Sequence, residues 1–209
     1  MSRPSIITLS GKPGSGKSST ADKVAEMLGY TRYSSGDFVR KVLHRRKLTL
    51  SEFNQRAATD HSLDEEIDSE LRKLRDHKDI VIDSRLGFYW IPESFKVYLD
   101  LDIDVATARI FKDAVANASR GTEITASSSI TDVQKQVQSR LNAETRRFRS
   151  MYGVNPYDTK NFDLIINTAR HSPQTVALTV FDHYKQWQKS DEWRQVHTEV
   201  PMGYSYAAD

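Results

Sequence analysis

Eight consecutive residues near the start of the chain have the types and spacing of a phosphate-binding loop. The run Gly11-Lys12-Pro13-Gly14-Ser15-Gly16-Lys17-Ser18 matches G-x-x-x-x-G-K-[ST] at every defined position. Such glycines let backbone N–H groups turn toward a phosphate, and the amino end of a helix adds positive potential there. We expect this run and Ser19 to bind a nucleoside triphosphate. The Lys17 ammonium would contact the β- and γ-phosphates, and the Ser18 hydroxyl would bind Mg²⁺.

The flanking residues favour this function over a glycine-rich turn that happens to carry a lysine. A short β-branched run, Ser5–Ser10, precedes the loop, and apolar residues follow it at helical spacing. A strand before and a helix after are the context in which this motif binds phosphate.

The loop alone does not determine the reaction, because GTPases, motor ATPases and small-molecule kinases share it. The Asn-Lys-x-Asp segment with which GTPases read their base is missing from the sequence. Motor ATPases usually have a hydrophobic strand that ends in Asp-Glu, whereas here Ser84 and Arg85 follow Asp83. A kinase with two mobile inserts fits this short chain best.

Arginines stand where a second phosphate would bind. Arg40 lies one turn into the helix after the second predicted strand, and Arg85 follows the third. Arg140 and Arg147 are seven residues apart on a late helix, so they share a face with Glu144 between them. Guanidinium groups bind phosphate through paired hydrogen bonds. Solvated surface charges in weak pairs are the alternative, and the joint placement of these arginines favours a phosphorylated acceptor.

The elements that must position these residues are strands alternating with helices. This pattern predicts a three-layer, doubly wound α/β fold with a five-stranded parallel sheet, the architecture of P-loop NTPases. The predicted strands are 6–10, 30–33, 79–83, 95–101 and 162–167. Two strand-free stretches, 34–77 and 112–150, would be insertions at the carboxyl edge of the strands, where ligands bind in such folds.

Composition limits the function further. The chain has 209 residues, 38% of them hydrophobic and 28% charged, which is typical of a soluble globular protein. A formal charge of +2 argues against a dedicated nucleic-acid binder, and the sequence has no cysteine for disulfides or thiolate metal sites. Neither a cleavable signal pattern nor a membrane span of about 20 apolar residues is present. We expect a cytoplasmic monomer without a membrane or nucleic-acid partner.

Further segments resemble a known family. They are Tyr33–Arg40, Ser51–Asn54, Ile67-Asp68, Val81–Leu86, Arg140–Arg149, Met151–Val154 and Phe162–Thr168. With the phosphate loop they resemble, in order and spacing over about residues 5–180, the archaeal-type branch of the cytidylate kinases. The resemblance implies transfer of the ATP γ-phosphate to CMP or dCMP with Mg²⁺, giving ADP and CDP or dCDP. It also implies one kinase domain with a core (1–33, 78–111 and 141–188), an NMP-binding insert at about 34–77, a lid at about 112–140 and a C-terminal extension at about 189–209.

The resemblance also implies roles for single residues. Those assigned to the acceptor by motif position are Ser35, Asp37, Arg40, Asp83, Arg85, Arg140, Glu144 and Arg147. Arg40 and Arg85 would bind the acceptor phosphate, and Glu144 would contribute to the nucleoside pocket. Lys17, Arg140 and Arg147 would be catalytic, because they neutralise charge on the migrating phosphoryl group. Arg109 would stack on adenine, unless it is an exposed helix arginine.

Three departures from the family leave alternatives open. Ser84 replaces the usual glycine, the segment 112–130 is rich in Ser and Thr and has Lys112 and Arg120 as its only cations, and the tail after about Lys189 has no family counterpart. A kinase for another nucleotide or small metabolite is the second hypothesis. A nucleotide-binding regulator without transfer activity is the third, and the presence of Lys17 and Arg85 counts against it.

Overall fold

The computed structural model describes residues 3–49, 52–53, 56, 60–116 and 129–200. Strands and helices alternate along this part of the chain. They are β1 (Ile6–Gly11), α1 (Lys17–Leu28), β2 (Thr31–Ser34), α2 (Ser35–Arg46), α3 (Ser62–Lys73), β3 (Ile80–Asp83), α4 (Gly87–Trp90), β4 (Phe95–Asp100), α5 (Ile103–Ala116), α6 (Ile130–Tyr152), β5 (Leu164–Asn167), α7 (Pro173–Lys189) and β6 (Val196–Glu199). Short 3₁₀ turns at Leu74–Asp76 and Thr159–Asn161 precede β3 and β5.

These strands form one parallel sheet in the order β2-β3-β1-β4-β5-β6. The central strand β1 is buried along its whole length, as a strand with neighbours on both sides and helices on both faces must be. The predicted parallel α/β fold of a P-loop protein is therefore confirmed. The predicted number of strands was wrong, since the described residues form six.

The sixth strand comes from the tail. Val196 pairs with Leu164 and Glu199 with Asn167, so β6 is an edge strand beside β5. Trp193, three residues before β6, packs against the core and donates from Nε1 to the carbonyl oxygen of Asp163 at 3.2 Å. A four-residue edge strand with one apolar side chain gives little periodic signal, and long-range pairing determines its structure.

The two faces of the sheet are covered by different helices, because successive strand side chains point to opposite faces. Ile7 and Leu9 of β1 pack in a cluster with residues of α1 and α7. Ile6 packs in a second cluster with residues of α2 and α3, which belong to the predicted NMP-binding insert. This insert therefore lies on the sheet face opposite α1 and α7.

The predicted lid falls partly outside the described residues. Lys112 lies in α5, whereas Arg120 and the rest of 117–128 are not among the residues described. The helix after this stretch begins with a capping box, in which Ser129 and Asp132 exchange side-chain and backbone hydrogen bonds. Across the described ranges, no helix combines the length and apolarity needed to cross a bilayer.

Candidate phosphotransfer site

The turn between β1 and α1 requires glycine at two positions. At Gly11 the backbone has a φ of 150°, and a Cβ atom would lie 2.4 Å from the carbonyl oxygen of Leu99. Gly16 precedes α1 with a left-handed φ of 82°. A side chain is thus excluded by contact at the first position and disfavoured by strain at the second. The tight turn brings the free N–H groups at the start of α1 to the carboxyl edge of the sheet, where they can bind an anion.

Lys17 lies beneath this turn. Its Nζ donates to the carbonyl oxygen of Lys12 at 2.8 Å. The pKa of Lys17 is lowered to about 7, mainly by burial and then by the charge of Arg85, although the carboxylates of Asp83 and Glu144 oppose the shift. Because a bound triphosphate would bring negative charge to this ammonium, we expect nucleotide binding to raise the pKa again.

The remaining side chains of the loop differ in their contacts and in their exposure to solvent. Lys12 Nζ lies 3.2 Å from Oδ1 of Asp100 and donates to the carbonyl oxygen of Leu101 at 3.0 Å, which fixes the loop to the end of β4. Ser15 Oγ is buried and has no hydrogen-bond partner within the described residues. Ser19 is exposed in the first turn of α1.

Ser18 and Asp83 meet where β1 and β3 end. The Ser18 hydroxyl donates to Oδ2 of Asp83 at 2.6 Å, and Nη2 of Arg32 lies 3.3 Å from the same oxygen. The sequence-based prediction assigned Asp83 to the acceptor, whereas the structure places its carboxylate beside the phosphate loop. A hydroxyl and a carboxylate are ligands suited to Mg²⁺, which takes its remaining ligands from water and substrate phosphates. The described residues contain no cluster of three or more acidic or histidine side chains that would form a metal site by themselves.

Arg85 follows β3 and enters a partly buried ionic cluster. Its Nε lies 2.5 Å from Oε2 of Glu144 and donates to the hydroxyl of Tyr157 at 3.4 Å. The Tyr157 hydroxyl itself donates to Glu144, and Arg140 Nε donates to Oε1 of Glu144 at 3.0 Å. One carboxylate on α6 therefore receives two guanidinium groups and a phenol.

The charges of this cluster act on one another and on Lys17. Burial opposes ionisation of Glu144, but Arg85 and Arg140 outweigh it and lower the pKa of this carboxyl to about 2. Burial likewise opposes protonation of Arg85, and Glu144 more than compensates, so the pKa of the guanidinium lies above its usual value. Since Arg85, Arg140 and Glu144 also shift the pKa of Lys17, the cluster lies within electrostatic reach of the phosphate loop.

A cavity extends from this cluster between the insert and α6. Its lining residues are Ser35, Val39, Phe53, Asp64, Ile67, Asp68, Leu71, Ser84, Arg85, Leu86, Glu144, Arg147 and Phe148. Four residues predicted from the sequence are among them, namely Ser35, Arg85, Glu144 and Arg147. The structure brings these four together.

Other predicted acceptor residues lie outside the cavity lining. Arg40 donates to Asp37 on α2, and its side chain is 70% exposed. Arg140 is also largely exposed, although it pairs with Glu144.

Arg109, which was predicted to stack on adenine, is half-buried and donates from Nη2 to the carbonyl oxygens of Thr168 (2.6 Å) and Ala169 (3.0 Å). Arg109 is therefore only partly exposed, and its contact with adenine stays a prediction.

Several residues of the site were not predicted. Asp64 and Asp68 lie one turn apart on α3 and are both buried, and Tyr157 reaches the ionic cluster from the loop after α6. The (i, i+4) spacing of the two aspartates was visible in the sequence, but a charged helix face is more often solvated. Tyr157 stands in a loop without periodicity, so nothing local indicated its role.

The family can be assigned by comparison with known proteins. Residues 6–170 match the sequence model of the cytidylate kinase-like family. The chain belongs to this family. A cytidylate kinase of Halobacterium salinarum is 34% identical over 188 residues, which cover 88% of this chain and 91% of that protein. The predicted resemblance and the prediction of an ATP-dependent phosphotransferase are both confirmed.

Two further relatives extend the comparison. An S-adenosylmethionine-dependent nucleotide dehydratase of Lacinutrix mariniflava is 33% identical over 86% of this chain, a match that covers 36% of that larger protein. The crystal structure of a shikimate kinase from Bacteroides thetaiotaomicron superposes with a TM-score of 0.59 at 13% identity, covering 88% of this chain and 98% of that one. This chain therefore has the same fold as that kinase.

Proposed function

We propose that this chain transfers the γ-phosphate of ATP to CMP or dCMP and releases ADP with CDP or dCDP. The observation that carries the proposal is the largely buried Arg85, which follows β3 at the carboxyl edge of the sheet, where β3 pairs with β1 before the phosphate loop. A guanidinium at the same edge of the sheet as the donor loop fits an acceptor that itself carries a phosphate. The name of the family and of its curated members supports cytidylate as that acceptor.

The donor end of the site would act mainly by electrostatic stabilisation. Phosphoryl transfer places growing charge on oxygens of the migrating group, and fixed positive groups lower its energy. On the donor side, the Lys17 ammonium and the N–H groups at the start of α1 would be such positive groups. The guanidinium of Arg140, which lies beside Glu144, would be a further one. Ser18 and Asp83 would hold Mg²⁺. When bound, this ion neutralises phosphate charge and orients the β- and γ-phosphates.

The acceptor end would hold a nucleophile that needs no general base. The attacking oxygen belongs to a phosphate that is already anionic, so orientation and charge neutralisation suffice. Glu144 and Tyr157 both contact Nε of Arg85, and a guanidinium carries four more N–H donors on its terminal nitrogens. We assign these donors to the acceptor phosphate. Arg147 stays a predicted phosphate ligand.

An acceptor panel tests the proposal. The full chain is incubated with ATP and Mg²⁺ and with CMP, dCMP, UMP, AMP or a non-nucleotide metabolite, and the diphosphate products are separated by chromatography. We expect turnover of CMP or dCMP well above that of the other acceptors. Turnover confined to another acceptor would instead support the second hypothesis, a kinase for a different nucleotide or metabolite. We further place this activity in a cytoplasmic monomer.

A further inference from the structure

The position of the phosphate loop determines which end of the cavity faces the γ-phosphate of ATP. The acceptor phosphate must meet the γ-phosphate, so it lies at the Arg85 end, because Arg85 follows β3, the strand that pairs with β1 just before the phosphate loop. The nucleoside must then occupy the rest of the cavity. Along α6 this path leads from Glu144 to Arg147 and Phe148, one turn further, and Arg147 faces Asp64 of the insert.

Asp64 is a buried carboxylate whose hydrogen bonding is incomplete. The residue is 5% exposed, and its Oδ2 has no hydrogen-bond partner within the described part of the chain. Nε of Arg147 lies 3.6 Å away, too far for a hydrogen bond, and it too is buried without a partner among those residues. Buried polar atoms are rarely left in this state, so the pair has capacity for a ligand.

The neighbouring Asp68 differs although it lies one turn away on the same helix. Its Oδ1 accepts from Nε1 of Trp90 at 3.1 Å, and its Oδ2 accepts from the hydroxyl of Tyr152. Both oxygens are thus engaged by protein donors. Asp68 holds α3 against α4 and α6, whereas Asp64 keeps an acceptor at the cavity wall.

The lining of the cavity also includes aromatic and aliphatic side chains. Phe53, Leu71 and Phe148 are buried side chains that line the same cavity. Apolar side chains beside a carboxylate with a free acceptor favour a ring whose edge carries N–H donors, since a carboxylate can only accept hydrogen bonds. A ring edge with a carbonyl oxygen at that place would face a negative charge and be rejected.

On the basis of the proposed function, we propose that Asp64 accepts a hydrogen bond from the exocyclic amino group of the acceptor base. Asp64 is thereby the residue that selects a 4-aminopyrimidine nucleotide over a 4-oxopyrimidine nucleotide. Asp64→Asn is the direct test, because the amide keeps the size and adds an N–H donor that a 4-oxo group can use. We expect kcat/KM for CMP to fall about 10- to 100-fold, mainly through KM, and the ratio of CMP to UMP efficiency to fall at least as much. The KM for ATP should not change.

Asp68→Asn is the matched control from the same helix. Its contacts to Trp90 and Tyr152 are structural, so any loss of activity should affect CMP and UMP equally and leave their ratio unchanged. A purely structural role of Asp64 would give that same pattern in Asp64→Asn. An unchanged CMP-to-UMP ratio in Asp64→Asn would overturn the inference.

A change in the substrate tests the inference without any risk of misfolding. The wild-type chain is assayed with 2-pyrimidinone riboside 5′-monophosphate, which carries hydrogen in place of the amino group. We expect its kcat/KM to lie about 10- to 100-fold below that of CMP, and this penalty to disappear largely in Asp64→Asn. Equal use of CMP and the analogue by the wild-type chain would overturn the inference while leaving the proposed function intact. A wild-type chain that phosphorylates neither CMP nor dCMP would instead refute the proposed function.

Discussion

Nε of Arg85 lies 2.5 Å from Oε2 of Glu144, which joins the end of β3 to the middle of α6. Both side chains are largely withdrawn from water, and a buried charge is costly unless it is paired. In the absence of a substrate, Glu144 therefore provides the counter-charge for a guanidinium that we assign to the acceptor phosphate. A bound acceptor phosphate must therefore either contact Arg85 alongside Glu144 or compete with Glu144 for this guanidinium.

Replacement of Lys17 tests the donor loop. Lys17→Ala should reduce kcat by about 10³-fold or more while the circular dichroism spectrum and melting temperature stay near those of the wild-type chain, because the side chain serves the phosphates. Lys78→Ala, which removes an exposed lysine far along the chain, is the control and should retain activity. Near-normal turnover in Lys17→Ala would contradict the assignment of the loop.

Replacement of Arg85 tests the acceptor end. Arg85→Ala should cost about 2–4 kcal/mol of transition-state stabilisation, measured as the loss in kcat/KM for CMP, because it removes a charge-assisted phosphate contact. The KM for ATP should change far less. Arg75→Ala removes a surface arginine paired with Glu93 and is the control. Equal losses for both substrates would place Arg85 outside the acceptor site.

The low pKa of Glu144 predicts a pH-dependent stability. Glu144→Gln leaves Arg85 without its counter-charge and should destabilise the fold by about 3 kcal/mol near pH 7. A carboxyl whose pKa falls to about 2 on folding stabilises the protein above its unfolded pKa of about 4.3, and this stabilisation is lost as the pH falls toward 2. Urea unfolding should show a difference between wild type and variant that is constant above about pH 5 and shrinks below pH 4. A difference independent of pH would show that the pair does not stabilise the fold in this way.

The contact between Ser18 and Asp83 predicts the metal dependence. Asp83→Asn should raise the Mg²⁺ concentration needed for half-maximal activity about 10-fold or more, because a carboxylate ligand is lost. Asp79→Asn is a suitable control, since Asp79 stands just before β3 at the opposite end of that strand, with a φ of 56° that asparagine tolerates. An unchanged Mg²⁺ dependence in Asp83→Asn would return Asp83 to the acceptor side, where the sequence alone had placed it.

The sequence predicted the elements whose signals are local. The phosphate loop is a continuous run, and the apolar strands around Ile7, Val81 and Val97 stand out from their neighbours. From these features the parallel sheet and its binding edge follow by general rules of α/β folds. The family resemblance assigned Ser35, Arg85, Glu144 and Arg147 to the acceptor, and these four residues line one cavity.

The features that the sequence did not predict depend on contacts between distant residues. β6 is a short edge strand that needs β5 as its partner, and Trp193 anchors it by a contact 30 residues back along the chain. In the sequence, Asp64 resembles any charged residue of an amphipathic helix. Its position at the cavity becomes apparent only in the folded chain, where Arg147 of α6 lies next to it. Arg40 has the right spacing for a phosphate ligand, but its side chain lies on the exposed face of α2.

Transfer of a labelled phosphate tests the central proposal most directly. The chain is incubated with Mg²⁺, unlabelled CMP and ATP labelled at its γ-phosphorus, and the label is followed into separated products. We predict that it appears as the β-phosphate of CDP in step with ADP formation, and that Lys17→Ala and Arg85→Ala both suppress it. Label that is found solely in inorganic phosphate, with CMP unchanged, would contradict a cytidylate-phosphorylating activity.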